Sequence, residues 1–351
     1  MTIHSFFCII NIPDISDKEM LRRTGGKDRC RTGAANFAMD KIGNTFFFDW
    51  EVSLIVWLQA HIGSFGTALA SFISAFGEEL ICIVVLGFLY WCYDKRFGRF
   101  VGINALAGLV LNSMIKNVFI RRRPYFDTAE IKCLKPVDKN ADIYNITAQE
   151  FSFPSGHSTN SITVYGSLAK YKKTKALTVI GTVLPLLIGV SRFCLGVHYP
   201  TDVLAGWLLG LIVIFAMPWL QSKIRNQRIF KILILIAALP GFFYCRSTDY
   251  YTGFGLLLGF ILADELEQKY VKFENTRSPL RCVLRVAGGI AIFFILNTLL
   301  KLPFTAEFMN SATTAAFLTR ALRYMILIFV LIGVYPMIFR FTGKWFKNPN
   351  K

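Results

Sequence analysis

Histidine is scarce in this chain, four residues in 351, so chemistry built on imidazole has few places to be. The eight cysteines (8, 30, 82, 92, 133, 194, 245 and 282) are scattered without a CxxC spacing, several of them inside apolar stretches. They suggest neither a zinc site nor a disulfide framework. The first forty residues hold a polar piece rich in Gly and Arg, Leu21 to Gly33, but lack the charged, apolar, small-residue order of a secretory signal peptide. No internal repeat is present. The formal charge of +17 is not gathered into a long basic stripe: Lys and Arg fall in short clusters between apolar runs. That pattern argues against a nucleic-acid partner.

What the chain does have is apolar surface. A hydrophobic fraction of 54%, 33 Phe and a mean hydropathy of +0.47 mark an integral membrane protein. The reading is all-α, a polytopic transmembrane helical bundle. Residues 1–48 form a polar tail, and Met39 is a candidate translation start. From Asp49 to about Ala60, acids at the start and tryptophans near both ends fit an interfacial helix or the start of a span. His61 follows as a helix-end residue without a partner cluster. Apolar segments then centre near 69, 86, 110, 164, 184, 211, 237, 258, 292 and 331, which predicts ten spans of about 20 residues, those near 69 and 258 being the shortest.

The basic residues orient the bundle. With a cytoplasmic N-terminus, 27 of the 39 Lys and Arg lie in inside segments, including both termini. The longest outside loop, Arg121 to Phe153, exceeds the length of about 12–15 residues above which loops are usually functional or disordered. Its Asn145-Ile146-Thr147 matches a glycosylation sequon by chance. Asp249-Tyr250-Tyr251 and Lys301-Leu302-Pro303-Phe304 also fall outside, on the side of the polar clusters, and read as packing or oligomer contact in preference to substrate entry.

Three polar clusters punctuate consecutive apolar segments on that outer face, where ionisable groups within membrane segments can still meet water. They are Lys116 with Arg123-Pro124, then Phe153-Pro154-Ser155-Gly156-His157, then Ser191-Arg192 with His198, Pro200 and Asp202. Lys116, Arg123 and Arg192 supply a point charge and two planar forks suited to phosphate oxygens. Ser155 and Gly156 add a hydroxyl and backbone N–H groups where a helix begins, a natural anion site. One histidine serves as nucleophile and the other as proton donor to the leaving oxygen. Asp202, one turn beyond His198, is placed to bind one ring N–H and fix the tautomer, with Pro200 at a helix start.

Lys116-x6-Arg123-Pro124, Pro154-Ser155-Gly156-His157 and Ser191-Arg192-x5-His198-x3-Asp202 resemble the three-part signature of the type 2 phosphatidic acid phosphatase superfamily, with every position filled. The resemblance covers about residues 50–220. It implies a six-helix phosphatase core over 49–220 and an extension of about four spans over 221–351. It also implies that His198 is the nucleophile, Asp202 its orienting partner and His157 the general acid. Lys116, Arg123, Ser155, Gly156 and Arg192 would bind the phosphoryl group, without metal or other cofactor. Gly77-Glu78-Glu79, the stretch Trp91 to Gly98 and the extension look like bacterial membrane members of the superfamily.

A site at the end of membrane spans favours a lipid phosphate or diphosphate, such as a polyprenyl diphosphate, phosphatidic acid or phosphatidylglycerol phosphate. Arg121 and Arg122 are candidates for a second phosphate or for surface anchoring. The alternatives are a phosphotransferase using the same phosphohistidine, or a non-catalytic scaffold or transporter, which needs no such constellation.

Overall fold

The computed structural model describes residues 43–339. The candidate start at Met39, most of the polar tail and the segment 340–351 lie outside the described residues. Among the described residues the chain is helical, and its one β-bridge joins Asn44 to Arg121. The helices are α1 (Asp49–His61), α2 (Gly63–Ala75), α3 (Glu79–Phe88, continued by a π turn Leu89–Tyr93) and α4 (Lys95–Phe119). Next come α5 (Gly156–Ser161, running through a π turn Ile162–Gly166 into Ser167–Lys172), α6 (Lys175–Cys194) and α7 (Pro200–Lys223). The remaining long helices are α8 (Gln227–Ala238), α9 (Thr248–Leu266, then a π turn Glu267–Val271), α10 (Pro279–Leu299) and α11 (Thr314–Phe329, then a π turn Val330–Val334).

Local chemistry sets the ends. The Asp94 carboxylate accepts from the Arg96 and Phe97 amides at 2.9 and 3.2 Å to start α4, and Ile120 ends it in the left-handed region at φ 42°. Pro200 and Pro279 stand in the first turns of α7 and α10, where a missing N–H costs nothing.

Helices stand at all ten apolar positions, but six of them, among the described residues, are long and apolar enough to cross a membrane: α4, α6, α7, the α8 segment Gln227–Tyr244, α10 and the α11 segment Thr314–Phe339. The expected span near 69 is instead half of a pair. α1 and α2 meet at a bend of 117°, so the interfacial helix and the segment near 69 form one broken element. The lone His61 closes α1, its Nδ1 2.7 Å from the Trp57 carbonyl and its ring against the Trp57 indole.

The helix near 258, weakest as a span in the sequence, is one of the most buried. α9 packs along α4 and α11, and Tyr250, Tyr251, Phe254, Leu257 and Phe260 enter the largest apolar core. Gly255 and Gly259 repeat at the spacing that lets membrane helices approach: a Cβ on Gly255 would lie 2.2 Å from the Ala321 carbonyl oxygen. At its far end α9 is tied to the core by buried ion pairs. Arg99 meets Asp264 and Glu267, Lys95 meets Glu267 at 2.7 Å, and Lys231 meets Asp264 at 2.5 Å. The extension is thus joined to α4 by packing along its length and by charge at its end.

The end of α4, the start of α5, the end of α6 and the start of α7 all fall on the other side, because antiparallel neighbours alternate direction. The Arg121 to Phe153 loop covers that end and is ordered. Gln149 staples it, its amide accepting from the Val137 amide at 2.9 Å and donating to the Asp138 carbonyl at 2.8 Å. Gln59 of α1 exchanges a second pair of bonds with Lys132 at 2.8 and 2.9 Å. Asn145 uses its side chain to cap the one-turn helix Ile146–Gln149.

Candidate active site

Ser155 opens α5 as its N-cap, and its own amide donates to the Asp202 carbonyl at 2.9 Å. The start of α5 is therefore docked on the first turn of α7. Close approach makes this possible: a Cβ on Gly206, one turn beyond Asp202, would stand 2.6 Å from the Ser155 carbonyl oxygen. Asn112, buried on α4 one turn before Lys116, donates to the Pro154 carbonyl at 3.3 Å and to Thr159 Oγ1 at 2.9 Å, holding the same loop from the other side. A Cβ on Gly156 would meet little beyond Asn112 Oδ1 at 3.7 Å, so the space in front of the helix start is open. His157 packs against the turn after α2: a Cβ on Gly77 would lie 3.1 Å from its Cδ2.

His198 sits between α6 and α7 and is 2% exposed. Its Nε2 is 3.4 Å from Arg123 Nη1, and its Nδ1 is 3.5 Å from Asp202 Oδ2. A guanidinium only donates. Nε2 facing it is therefore the acceptor, with the lone pair, and the ring proton belongs on Nδ1 beside the carboxylate. Burial, with the Arg123 and Arg192 guanidinium groups next and Lys116 and His157 also facing the ring, holds this imidazole well below the ordinary histidine range. The sequence-distant clusters are thus brought within electrostatic reach of one another.

The three cations differ in how they are held. Arg123, 2% exposed, donates through Nε to the Gln149 and Glu150 carbonyls at 2.6 and 3.0 Å and through Nη1 to the Val197 carbonyl at 2.9 Å. Its fork is fixed by backbone. Arg192, in the last turn of α6, donates from Nη1 to Ser74 Oγ at 2.5 Å, and its Nε is buried without a hydrogen-bond partner. Lys116 donates to two carboxylates, Glu150 Oε2 at 3.0 Å and Asp249 Oδ2 at 3.1 Å.

The extra arginines are not spare phosphate ligands. Arg122 pairs with Asp127 at 2.6 Å. Arg121, 1% exposed, donates to Asp202 Oδ1 at 2.6 Å, Thr201 Oγ1 at 2.7 Å and Glu51 Oε2 at 3.0 Å. Its guanidinium lies against the Phe46 and Tyr199 rings, 4.6 and 4.0 Å from their centroids. Glu51, fully buried on α1, also accepts from the Thr201 amide at 2.9 Å. The other Asp202 oxygen, Oδ2, accepts from the Tyr199 amide at 2.7 Å, which leaves His198 as its remaining neighbour.

Sequence reasoning passed over Glu51, Ser74 and Asn112, and it gave Glu150 and Asp249 no part in the site. Two of the five carried signals. Asn112 shares a helix face with Lys116 four residues on, and Glu51 is an acid on the face of α1 that buries Ile55. Asp249 was placed on the outer face by sequence, but its partner was not legible, because only packing of α9 on α4 brings it to Lys116.

Residues 96–226 match the model of the PAP2 superfamily, and residues 251–345 match that of the PAP2 superfamily phosphatase, transmembrane extension. The chain is 41% identical over 156 residues to phosphatidylglycerophosphatase B of Bacillus subtilis (strain 168), an alignment covering 42% of this chain and 69% of that protein. It is 28% identical over 167 residues to an undecaprenyl-diphosphatase of Sulfolobus acidocaldarius, covering 46% and 74%. Among solved structures, a transmembrane PAP2 type phosphatidylglycerolphosphate phosphatase from Bacillus subtilis is 26% identical, with a TM-score of 0.37 over 56% of this chain and 90% of that one.

Proposed function

Because this chain belongs to the PAP2 superfamily, as a multi-pass membrane lipid phosphatase, we propose that it hydrolyses a terminal phosphate of a membrane lipid through a phosphohistidine on His198. The observation that carries the reading is the contact of Arg123 Nη1 with His198 Nε2 at 3.4 Å, which joins two of the sequence clusters around a neutral imidazole with its lone pair turned toward a cation. A phosphate oxygen entering there meets the cation while phosphorus meets the nucleophile.

In the first step the His198 Nε2 lone pair attacks phosphorus, an N–P bond forms, and the bond from phosphorus to the lipid oxygen breaks. His157 gives that oxygen its proton. Arg123, Arg192, Lys116 and the open start of α5, with Ser155 and Gly156, neutralise charge on the three remaining phosphoryl oxygens. Asp202 holds the Nδ1 proton and stabilises the imidazole as it becomes positive. In the second step water attacks phosphorus, His157 takes its proton, and the N–P bond breaks to free phosphate. Three cations and a helix start stand where a metal ion supplies charge in other phosphatases, so the reaction proceeds without one.

The distribution of basic residues supports a site on the non-cytoplasmic face with both termini in the cytoplasm. The substrate then presents its headgroup from the outer leaflet. Phosphate release from a panel of lipid monophosphates and diphosphates by the purified chain tests the reading. Release that persists in excess EDTA is expected; no release from any lipid phosphate, or complete loss on chelation restored by a divalent ion, overturns it.

A further inference from the structure

Lys116 meets the site already engaged, and the way it is engaged is built from both halves of the chain. Glu150 comes from the outer loop, Asp249 from the first turn of α9. The α9 end is pinned to the last turn of α4 beside Lys116: Asn117 Nδ2 donates to Ser247 Oγ at 2.7 Å, and Asn117 Oδ1 accepts from the Arg246 amide at 3.0 Å. Lys116, Asn117, Ser247 and Asp249 therefore form one joint.

The other carboxylate is held at a backbone cost. Glu150 has φ 60° and ψ 164°, a conformation that glycine adopts and other residues rarely do. Arg123 Nε, bonded to the Glu150 carbonyl at 3.0 Å, fixes that conformation and with it the direction of the side chain toward Lys116. A strained residue aimed at a catalytic cation by another cation of the same site is not a chance surface pair. Glu79, at the start of α3, is a third acid within electrostatic reach of Asp249 and Lys116, with Arg320 of α11 beside it.

We propose that Asp249 is a specificity-determining residue, which with Glu150 walls the Lys116 side of the phosphate cradle in carboxylate, so that the site prefers a lipid phosphate monoester whose headgroup carries hydroxyl groups over a diphosphate. The inference rests on the lipid phosphatase reading above and refines it. A carboxylate is an acceptor, matched to hydroxyl donors and opposed to a second phosphate, and juxtaposed like charges are how a site rejects the wrong partner. Burial and the Asp249 carboxylate beside it push Glu150 up to about 7, so near neutral pH the repulsion of an added anion comes chiefly from Asp249 and strengthens as Glu150 ionises above that value. The transmembrane extension acquires a role in the site, since α9 delivers one half of the wall.

The test compares the full-length wild type with Asp249→Asn and Glu150→Gln in lipid micelles. The substrates are a polyprenyl monophosphate, the diphosphate of the same chain, and phosphatidylglycerol phosphate. Asp249→Asn is expected to raise the ratio of kcat/KM for diphosphate over monophosphate by about tenfold, chiefly through the diphosphate KM, and to reduce the preference for phosphatidylglycerol phosphate over the polyprenyl monophosphate. Glu150→Gln should move both ratios in the same direction, and it carries the test if Asp249→Asn does not fold. Ratios unchanged in a folded, active variant overturn the inference. A wild type inactive on all three substrates overturns the phosphatase reading instead.

Discussion

Arg121 and Asp202, eighty-one residues apart, are joined by a buried hydrogen-bonded ion pair of 2.6 Å. The arginine is gripped in turn by Glu51 at 3.0 Å. The carboxylate assigned to orient His198 is therefore itself oriented, one oxygen by Arg121 and the other by the Tyr199 amide. Removing one partner of such a pair leaves a buried charge and costs about 3–5 kcal/mol, so a charge-conserving change is the informative one. Arg121→Lys keeps the charge and loses the fork that reaches Asp202, Thr201 and Glu51 together. We expect it to melt near the wild type while kcat falls by roughly 10–100-fold, the scale for partners that orient a functional ligand, with little change in KM. A loss confined to KM would mean that Arg121 acts on substrate and not on Asp202.

The two histidines separate by what the leaving group needs. A lipid alkoxide requires a proton from His157 as its bond to phosphorus breaks, whereas a nitrophenolate departs unaided. His157→Ala should cost much more with a lipid phosphate than with a nitrophenyl phosphate, and His198→Ala should abolish both. With a radiolabelled activated phosphate, His157→Ala should trap acid-labile, alkali-stable label. Label that persists in the His198→Ala background would show that the nucleophile lies elsewhere.

The acid limb of His198 reactivity has a defined sign. Its imidazole is held well below the ordinary value of about 6.5 by burial and by Arg123 and Arg192, so it stays neutral as pH falls through that value. Carbethoxylation by diethyl pyrocarbonate, which needs neutral imidazole, should therefore continue at His198 below pH 6.5. Peptide mapping of the modification rate against pH reads the site. A rate at His198 that falls off at the ordinary histidine value of about 6.5 would show that the imidazole does not feel its surroundings.

Orientation is testable at two exposed positions on opposite ends of the bundle. A cysteine at Asp138, in the loop over the site, should react with impermeant thiol reagents in intact cells once the native cysteines are removed. One at Lys173, between α5 and α6, should not. The reverse labelling would put the site in the cytoplasm.

Sequence by itself determined the class of protein and pointed to the residues proposed for the cradle. Hydropathy demands burial of long apolar helices in lipid wherever they pack. A Lys, two Arg, a Ser-Gly pair, two His and an Asp at helix ends on one face state their chemistry through residue type and spacing, which are local properties. The element near 69 departs from a straight span because hydropathy reports that a segment is apolar and not that it bends: α1 and α2 turn through 117°. Tertiary structure alone decided which arginines are free to meet a ligand. Arg121, Arg122 and Arg123 are chemically identical and adjacent, yet Arg121 is spent on Asp202 and Glu51, Arg122 on Asp127, and Arg123 on the backbone beside His198. It likewise decided that Asp249 reaches Lys116 across 133 residues, because that contact exists only once the glycines of α9 let it lie along α4 and α11. Such pairings depend on which helix faces meet, and that is settled by packing of the whole bundle, far beyond the span over which neighbouring residues in a sequence constrain one another.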